Sequence, residues 1–115
     1  MRHGSKTKKL SREKDVRNAL IKSLALSLIL KGKIKTTITK AKVIKPVVER
    51  LVTYGKKGDV AGRRLIAAKV GPDGAKIMMT KIAPKYKDRN GGYTRIIKLE
   101  TRLSDAAEMA QIEFV

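Results

Sequence analysis

Apolar residues along this chain switch between two periods, and each switch predicts a boundary between elements. Val16, Leu20, Leu24 and Leu28 stand at four-residue steps, with Ala19, Ile21, Ala25 and Ile29 widening the stripe. That spacing lines one face of an α-helix. Ser11 as N-cap, Glu13 and Asp15 in the first turns, and Lys31 followed by Gly32 at the end suit helix termini. A helix is therefore predicted over 11–31. Ile34-Lys35-Thr36-Thr37-Ile38 then alternates and is rich in β-branched residues, which predicts a strand over 34–38. The helical period returns with Ala41, Ile44, Val47, Val48, Leu51 and Val52, capped by Thr39 and ending near Gly55. The remaining positions, Lys40, Lys42, Lys45, Glu49 and Arg50, make the opposite face mostly cationic. Pro46 interrupts this stripe. Inside a helix a proline removes a hydrogen bond and crowds the preceding turn, at about 3 kcal/mol, so a kinked or late-starting helix is expected.

Asp59 is placed to cap a short helix over 60–69, with Leu65, Ile66 and Ala68 inward and Arg63 and Arg64 outward. Gly71-Pro72-Asp73-Gly74 reads as a turn. A further helix over 75–83 would bury Ile77, Met78 and Ile82 and end at Pro84, its Met78-Met79 pair acting as core filler. Beyond the alternating Lys85, Tyr86, Lys87, Asp88 and Arg89, a break at Asn90-Gly91-Gly92 leads into strands over 93–99 and 110–115, separated by a loop over 101–108. The first strand is expected to pair with the 93–99 strand. The sum is an α+β fold of about four helices packed on a small three-stranded mixed sheet.

Composition adds the partner. At 115 residues the chain makes one domain that buries about two-thirds of its unfolded surface. Its net charge is +18, which repels itself in a compact state and calls for a polyanion. Nucleic acid is the first candidate and an anionic membrane surface the second. No acid occurs between Asp15 and Glu49, while Arg17, Lys22, Lys31, Lys33, Lys35, Lys40, Lys42 and Lys45 accumulate. A surface that only needs to be soluble interleaves both signs. Residues 1–10 hold Arg2, Lys6, Lys8 and Lys9 with no acid and no period. By itself such a segment is a solvated, disordered tail. The overall charge favours a basic N-terminal arm that orders on phosphates, followed by a single globular domain over 11–115. From residue 100 onward the balance reverses, with Glu100, Asp105, Glu108 and Glu113 against Arg102 alone.

Several classes fall away. The absence of cysteine excludes disulfides, zinc ribbons and thiol catalysis. The apolar run over 24–30 is too short to span a bilayer and lacks the layout of a signal peptide, so a cytoplasmic location is expected. His3 is the only histidine and sits in the arm, where a phosphate or base contact suits it better than general-base work. The ten acids are scattered over caps and turns without ligand spacing. No enzyme, metal, cofactor or small-molecule substrate is expected. Asn90-Gly91-Gly92 serves equally as a backbone phosphate cradle or a plain turn, and it lacks the lysine-serine ending of a P-loop. Around it, Arg89 and Arg95 offer forks to phosphate and Tyr93 a ring to an unpaired base. With no zinc-finger spacing, leucine heptad or helix-turn-helix pattern, the scattered basic residues suit an irregular folded RNA. A nucleoid-type DNA-binding protein is the alternative. A basic peripheral membrane protein anchored by 20–30 is weaker, since that helix has only Lys22 and Lys31 beside its apolar half and no Trp.

An ordered set of short motifs then carries a resemblance. Met1-Arg2-His3, Ile34-Lys35-Thr36-Thr37 followed by Lys40-Ala41-Lys42, Leu51-Val52-Thr53, Arg63-Arg64-Leu65 and Gly91-Gly92-Tyr93-Thr94-Arg95-Ile96 occur in that order across the whole chain. Together they closely resemble the bacterial large-subunit ribosomal protein L-seventeen family. The resemblance implies a structural ribonucleoprotein component of the large ribosomal subunit. Its implied partners are large-subunit ribosomal RNA and neighbouring ribosomal proteins, with no membrane, near the peptide exit region on the solvent side. The residues expected to touch RNA are Arg2, His3, Lys6, Lys8, Lys9, Arg12 and Arg17, then Lys33, Lys35, Thr36, Thr37, Lys40 and Lys42. Arg63, Arg64, Arg89, Gly91, Gly92, Tyr93 and Arg95 complete the set.

Overall fold

The computed structural model describes residues 13–115; the basic arm, Ser11 and Arg12 lie outside the described residues. The elements are α1 (Lys14–Lys31), β1 (Lys33–Thr37), α2 (Ile38–Lys57), α3 (Val60–Ile77), a π turn (Met78–Ile82), a 3-10 turn (Ala83–Tyr86), β2 (Thr94–Lys98) and β3 (Met109–Phe114). The α+β class holds, but among the described residues the α-helices number three, the third broken at Gly71, where about four were expected, and the sheet is wholly antiparallel in the order β1-β3-β2, not mixed.

α2 is the centre of the molecule and touches every other element. Ile38, Ala41, Ile44, Val48, Leu51, Val52 and Gly55 form its buried stripe, a helical spacing that delivers each side chain to the same core. The cap is Thr37, whose hydroxyl accepts from the Lys40 N–H at 3.5 Å, so the helix starts two residues before the expected Thr39. At the other end Gly58 takes a left-handed φ of 67° and closes the helix at Lys57. Pro46 neither breaks α2 nor delays its start. It lies on the exposed face together with Lys42, the residue four back whose carbonyl loses its helical partner. Pro46→Ala restores the hydrogen bond. The helix gain of about 3 kcal/mol is offset by about 1 kcal/mol of added freedom in the unfolded chain. The expected net is a stabilisation of about 1–2 kcal/mol, or a rise of roughly 4–8 °C in Tm by calorimetry.

Elsewhere the helices depart from expectation in phase and number. In α1, Glu13 is the N-cap without a side-chain bond, and Gly32 at φ 81° ends the helix with its N–H on Leu28 O at 2.7 Å. The stripe packs from Ile21 onward: Ala25, Leu28 and Ile29 are buried and Ile21 and Leu24 lie against the core, while Val16 is 54% exposed. Asp59 caps α3 as anticipated, its Oδ1 accepting from Gly62 N–H at 2.7 Å. The predicted turn over 71–74 contracts to a kink at Gly71 (φ 84°, ψ 170°), after which Pro72 re-enters the helix. Glycine supplies the positive φ and proline is preset for a first helical position, so α3 consists of two helical segments that meet at the non-helical Gly71. Gly62 and Ile66 are buried in it, whereas Leu65 and Ala68, expected inward, are exposed. Pro84 does not end the helical path. It stands in the first positions of the 3-10 turn that follows the π turn, where the missing N–H is least costly.

The sheet corrects the expected pairing. β1 pairs with β3, not with β2, and β3 lies between them. Ala110 and Ile112 of β3 are fully buried, so the strand with the driest inner face takes the middle. Tyr86, Tyr93 and Phe114 close one end of the sheet, with ring centroids 5.2 Å apart for the two tyrosines and 6.4 Å for Tyr86 and Phe114. The Tyr86 hydroxyl donates to Val115 O at 2.7 Å.

Candidate nucleic-acid interface

The pleat of β1 turns Lys33 and Lys35 outward and Ile34 and Thr36 inward. Register then places Arg95 of β2 in the same row as Lys33, with Glu113 of β3 between them. Glu113 pairs with Arg95 at 3.6 Å, an exposed contact of the kind that contributes about 0–1 kcal/mol. Where β1 runs into α2, Lys42 is exposed and Lys40 half-buried. Lys33, Lys35, Lys40 and Lys42 thus follow one another along the chain as a cationic strip from β1 into α2. Thr36 and Thr37 do not join it: Thr36 is only 8% exposed and Thr37 serves as the cap.

A second cationic group forms at the far end of α2. Arg63 and Arg64 are exposed in the first turns of α3, just past the Gly58 turn. Arg89 stands on the loop before β2, its Nε donating to Gly91 O at 3.3 Å. Gly91 and Gly92 take φ of 87° and 63°, so their glycines serve the reversal of the chain. Tyr93 corrects the sequence reading: it is 3% exposed and packed on Tyr86, which leaves no ring face for a base. Lys56, which no sequence pattern singles out, organises this corner. Its Nζ donates to Arg89 O and, at 3.0 Å, to the Tyr93 hydroxyl. Arg17 of α1 is half-buried and apart from both groups in the chain.

The Lys56 ammonium, with help from the Gly91 backbone, holds the Tyr93 phenol below the ordinary tyrosine range. Burial pushes Tyr86 above it, opposed by Arg89. An opposite charge that hydrogen-bonds the phenolate favours ionisation, and losing it raises the pKa. Ultraviolet titration of Lys56→Met is therefore expected to move the earliest-ionising tyrosine to higher pH while the latest stays in place.

Lys45 and Glu49 also leave the cationic face to which sequence assigned them. Glu49 Oε2 accepts from Thr94 N–H at 3.1 Å and from its hydroxyl at 3.2 Å, while Lys45 Nζ donates to Thr94 O at 2.6 Å and lies 3.5 Å from Glu49. β2 is an edge strand, and this pair satisfies the backbone groups of Thr94 at its start and ties it to α2. The one signal available beforehand was Glu49 itself, the first acid after a long basic stretch. Among the described residues only Lys45, Arg95 and Arg102 are ion-paired. Those residues contain no group of three His, Cys, Asp or Glu able to hold a metal, and no helix long and apolar enough to cross a membrane.

The family model described as ribosomal protein L17 matches residues 20–115. Large ribosomal subunit protein bL17 of Sulfurihydrogenibium sp. is 50% identical, over all of this chain and 97% of the relative. The protein of that name from Campylobacter jejuni is 50% identical over all of this chain and 99% of the relative. That of Akkermansia muciniphila is 49% identical over all of this chain and 85% of its own length. With the match running through β1, α2 and the β2–β3 hairpin alike, the chain belongs to the ribosomal protein L17 family.

Proposed function

We propose that this protein is a structural constituent of the large ribosomal subunit in the bacterial cytoplasm, clamping ribosomal RNA by charge and shape. The relatives are named as large-subunit proteins, a structural rather than a catalytic role. One observation carries the RNA reading: the Lys33, Lys35, Lys40 and Lys42 strip has no ion-pair partner among the described residues. Unneutralised cations held on rigid elements are what a phosphate backbone requires. Arg17, Arg63, Arg64, Arg89 and Arg95 add contacts from other directions, and Arg2, His3, Lys6, Lys8, Lys9 and Arg12 extend the reach as the arm. Neutralising about six to ten phosphates gives a log–log salt slope of roughly −4 to −9 for binding to large-subunit RNA fragments. In a lysate run through a sucrose gradient, the protein is expected with the large subunit. A slope near zero refutes the clamp, and migration with DNA instead favours a nucleoid protein.

A further inference from the structure

A groove opens where the end of α1 meets the two turns that follow α3 and the end of β3. Its floor is apolar: Leu30, Ile77, Ile82, Phe114 and Val115 line a cavity of about 390 Å³. Leu30 is 52% exposed and Val115 45% exposed, so two aliphatic side chains meet water within one cleft. The walls are tied together. Phe114 N–H donates to Gly32 O at 3.2 Å, and the Tyr86 hydroxyl donates to Val115 O. These bonds fasten β3 both to the end of α1 and to the 3-10 turn, which holds the cleft in shape. A cleft already in its bound geometry loses little freedom when a ligand enters.

The rim carries charge of one sign. Lys31, Lys81 and Lys85 line the groove, and among the described residues no Asp or Glu does. All three lysines are exposed, and none is ion-paired among those residues. Lys31 complements the carbonyl end of α1. Lys81 and Lys85 have no such local duty, and between residues 60 and 99 the only acids are Asp73 and Asp88. Three ammonium groups around an apolar floor call for an occupant that is anionic at its edges and apolar in its middle.

The floor decides between anions. RNA offers phosphates to the lysines, but its bases bind protein by stacking on open ring faces. Here Tyr86 is 4% exposed and Phe114 is half-buried against it. What the groove leaves open is mainly aliphatic, and polar sugar and phosphate laid over it lose water without gaining partners. A peptide with apolar side chains between carboxylates matches both floor and rim, in the manner of an amphipathic segment in a groove. We propose that this groove docks an acidic amphipathic segment of another protein. Its apolar side chains rest on Leu30, Ile77 and Val115, and its Asp or Glu carboxylates meet Lys31, Lys81 and Lys85. This goes beyond the ribosomal role and does not rest on it.

The test measures fluorescence anisotropy of the purified full chain with a labelled helical peptide, leucines along one face and glutamates on both flanks, at physiological salt. Saturable binding is expected. Replacing Lys31, Lys81 and Lys85 together by alanine should weaken it by about tenfold or more. Removing the same charge through Lys33→Ala, Lys35→Ala and Lys42→Ala should change it by less than about twofold. Leu30→Ser, which keeps every lysine, should also weaken it by about tenfold, with circular dichroism and melting matching the parent. No saturable binding, equal losses for the two lysine sets, or equal affinity for a peptide with serines in place of the leucines each overturn the proposal. Large subunits carrying a photo-crosslinking phenylalanine analogue in place of Leu30 give a second readout. An adduct with the labelled peptide is expected; an adduct with ribosomal RNA, or none with the peptide, overturns the proposal while the ribosomal reading stands. If the protein is missing from those particles, the ribosomal reading falls and the anisotropy of the purified chain still decides this one.

Discussion

Removing Lys33, Lys35, Lys40 and Lys42 together by substitution with alanine is expected to weaken RNA binding by on the order of a thousandfold at low salt, and to flatten the log–log salt slope by about three. The four side chains lie along one run from β1 into α2, and none is ion-paired among the described residues. If each neutralises one phosphate, the counterions released on binding fall by the corresponding number, and the slope records it directly. Folding should not suffer: the strip carries no core contact, and removing four like charges relieves repulsion in a chain of net charge +18. The control is a charge-matched set, Lys69, Lys76, Lys81 and Lys85, all exposed on α3 and the turns that follow it. Because those lysines are not in the strip, their removal is expected to change the slope by less than about one. Equal slopes for the two quadruple variants would mean that total charge, not the strip, drives binding. Filter binding across a salt series measures both.

Reading this chain without coordinates recovers what periodicity controls and loses what pairing controls. The 3.6-residue stripe of α2 was visible from Ala41 to Val52 because a helix buries its own neighbours in sequence, and that helix is the centre of the fold. Strand partners lie far apart in sequence, so β1 could be recognised as a strand but not as the neighbour of β3. Turn chemistry at Gly71-Pro72 was legible as a break, yet the same residues allow a helix to resume after one left-handed step. For the proposed interface, charge order picks out the run from Lys33 to Lys42 without knowledge of the fold. Side chains whose role depends on tertiary partners were misread. Tyr93 is a core ring held by Lys56, Thr37 is a cap, and Glu49 with Lys45 secures an edge strand. Composition identifies a cation-rich surface; only packing tells which cations are already engaged.

One pair of neighbours decides whether the phase of α3 is as described. Periodicity alone placed both Leu65 and Ile66 inward, but in the structure Leu65 is 50% exposed and Ile66 is fully buried. Ile66 sits where α3 crosses α2. Its Cδ1 lies 3.6 Å from the point a Cβ on Gly55 would occupy, an ordinary contact, and one turn earlier a Cβ on Gly62 would lie 2.6 Å from Tyr54 O, so the absence of a side chain at Gly62 lets the two helices approach. Truncation at this crossing opens a cavity that rigid helices on both sides cannot fill. Ile66→Ala is therefore expected to cost about 2–5 kcal/mol, the range for large-to-small changes in a packed core. For a domain of this size that lowers Tm by roughly 10–20 °C. Leu65→Ala removes a side chain of equal size from the adjacent position, but half of its surface already meets water. Its cost should stay within about 0.5–1 kcal/mol. Urea unfolding of the two variants separates the readings, because a helix rotated by one position exchanges the two costs. Equal losses would mean that α3 packs both residues, and the inward face first read from the sequence would be restored.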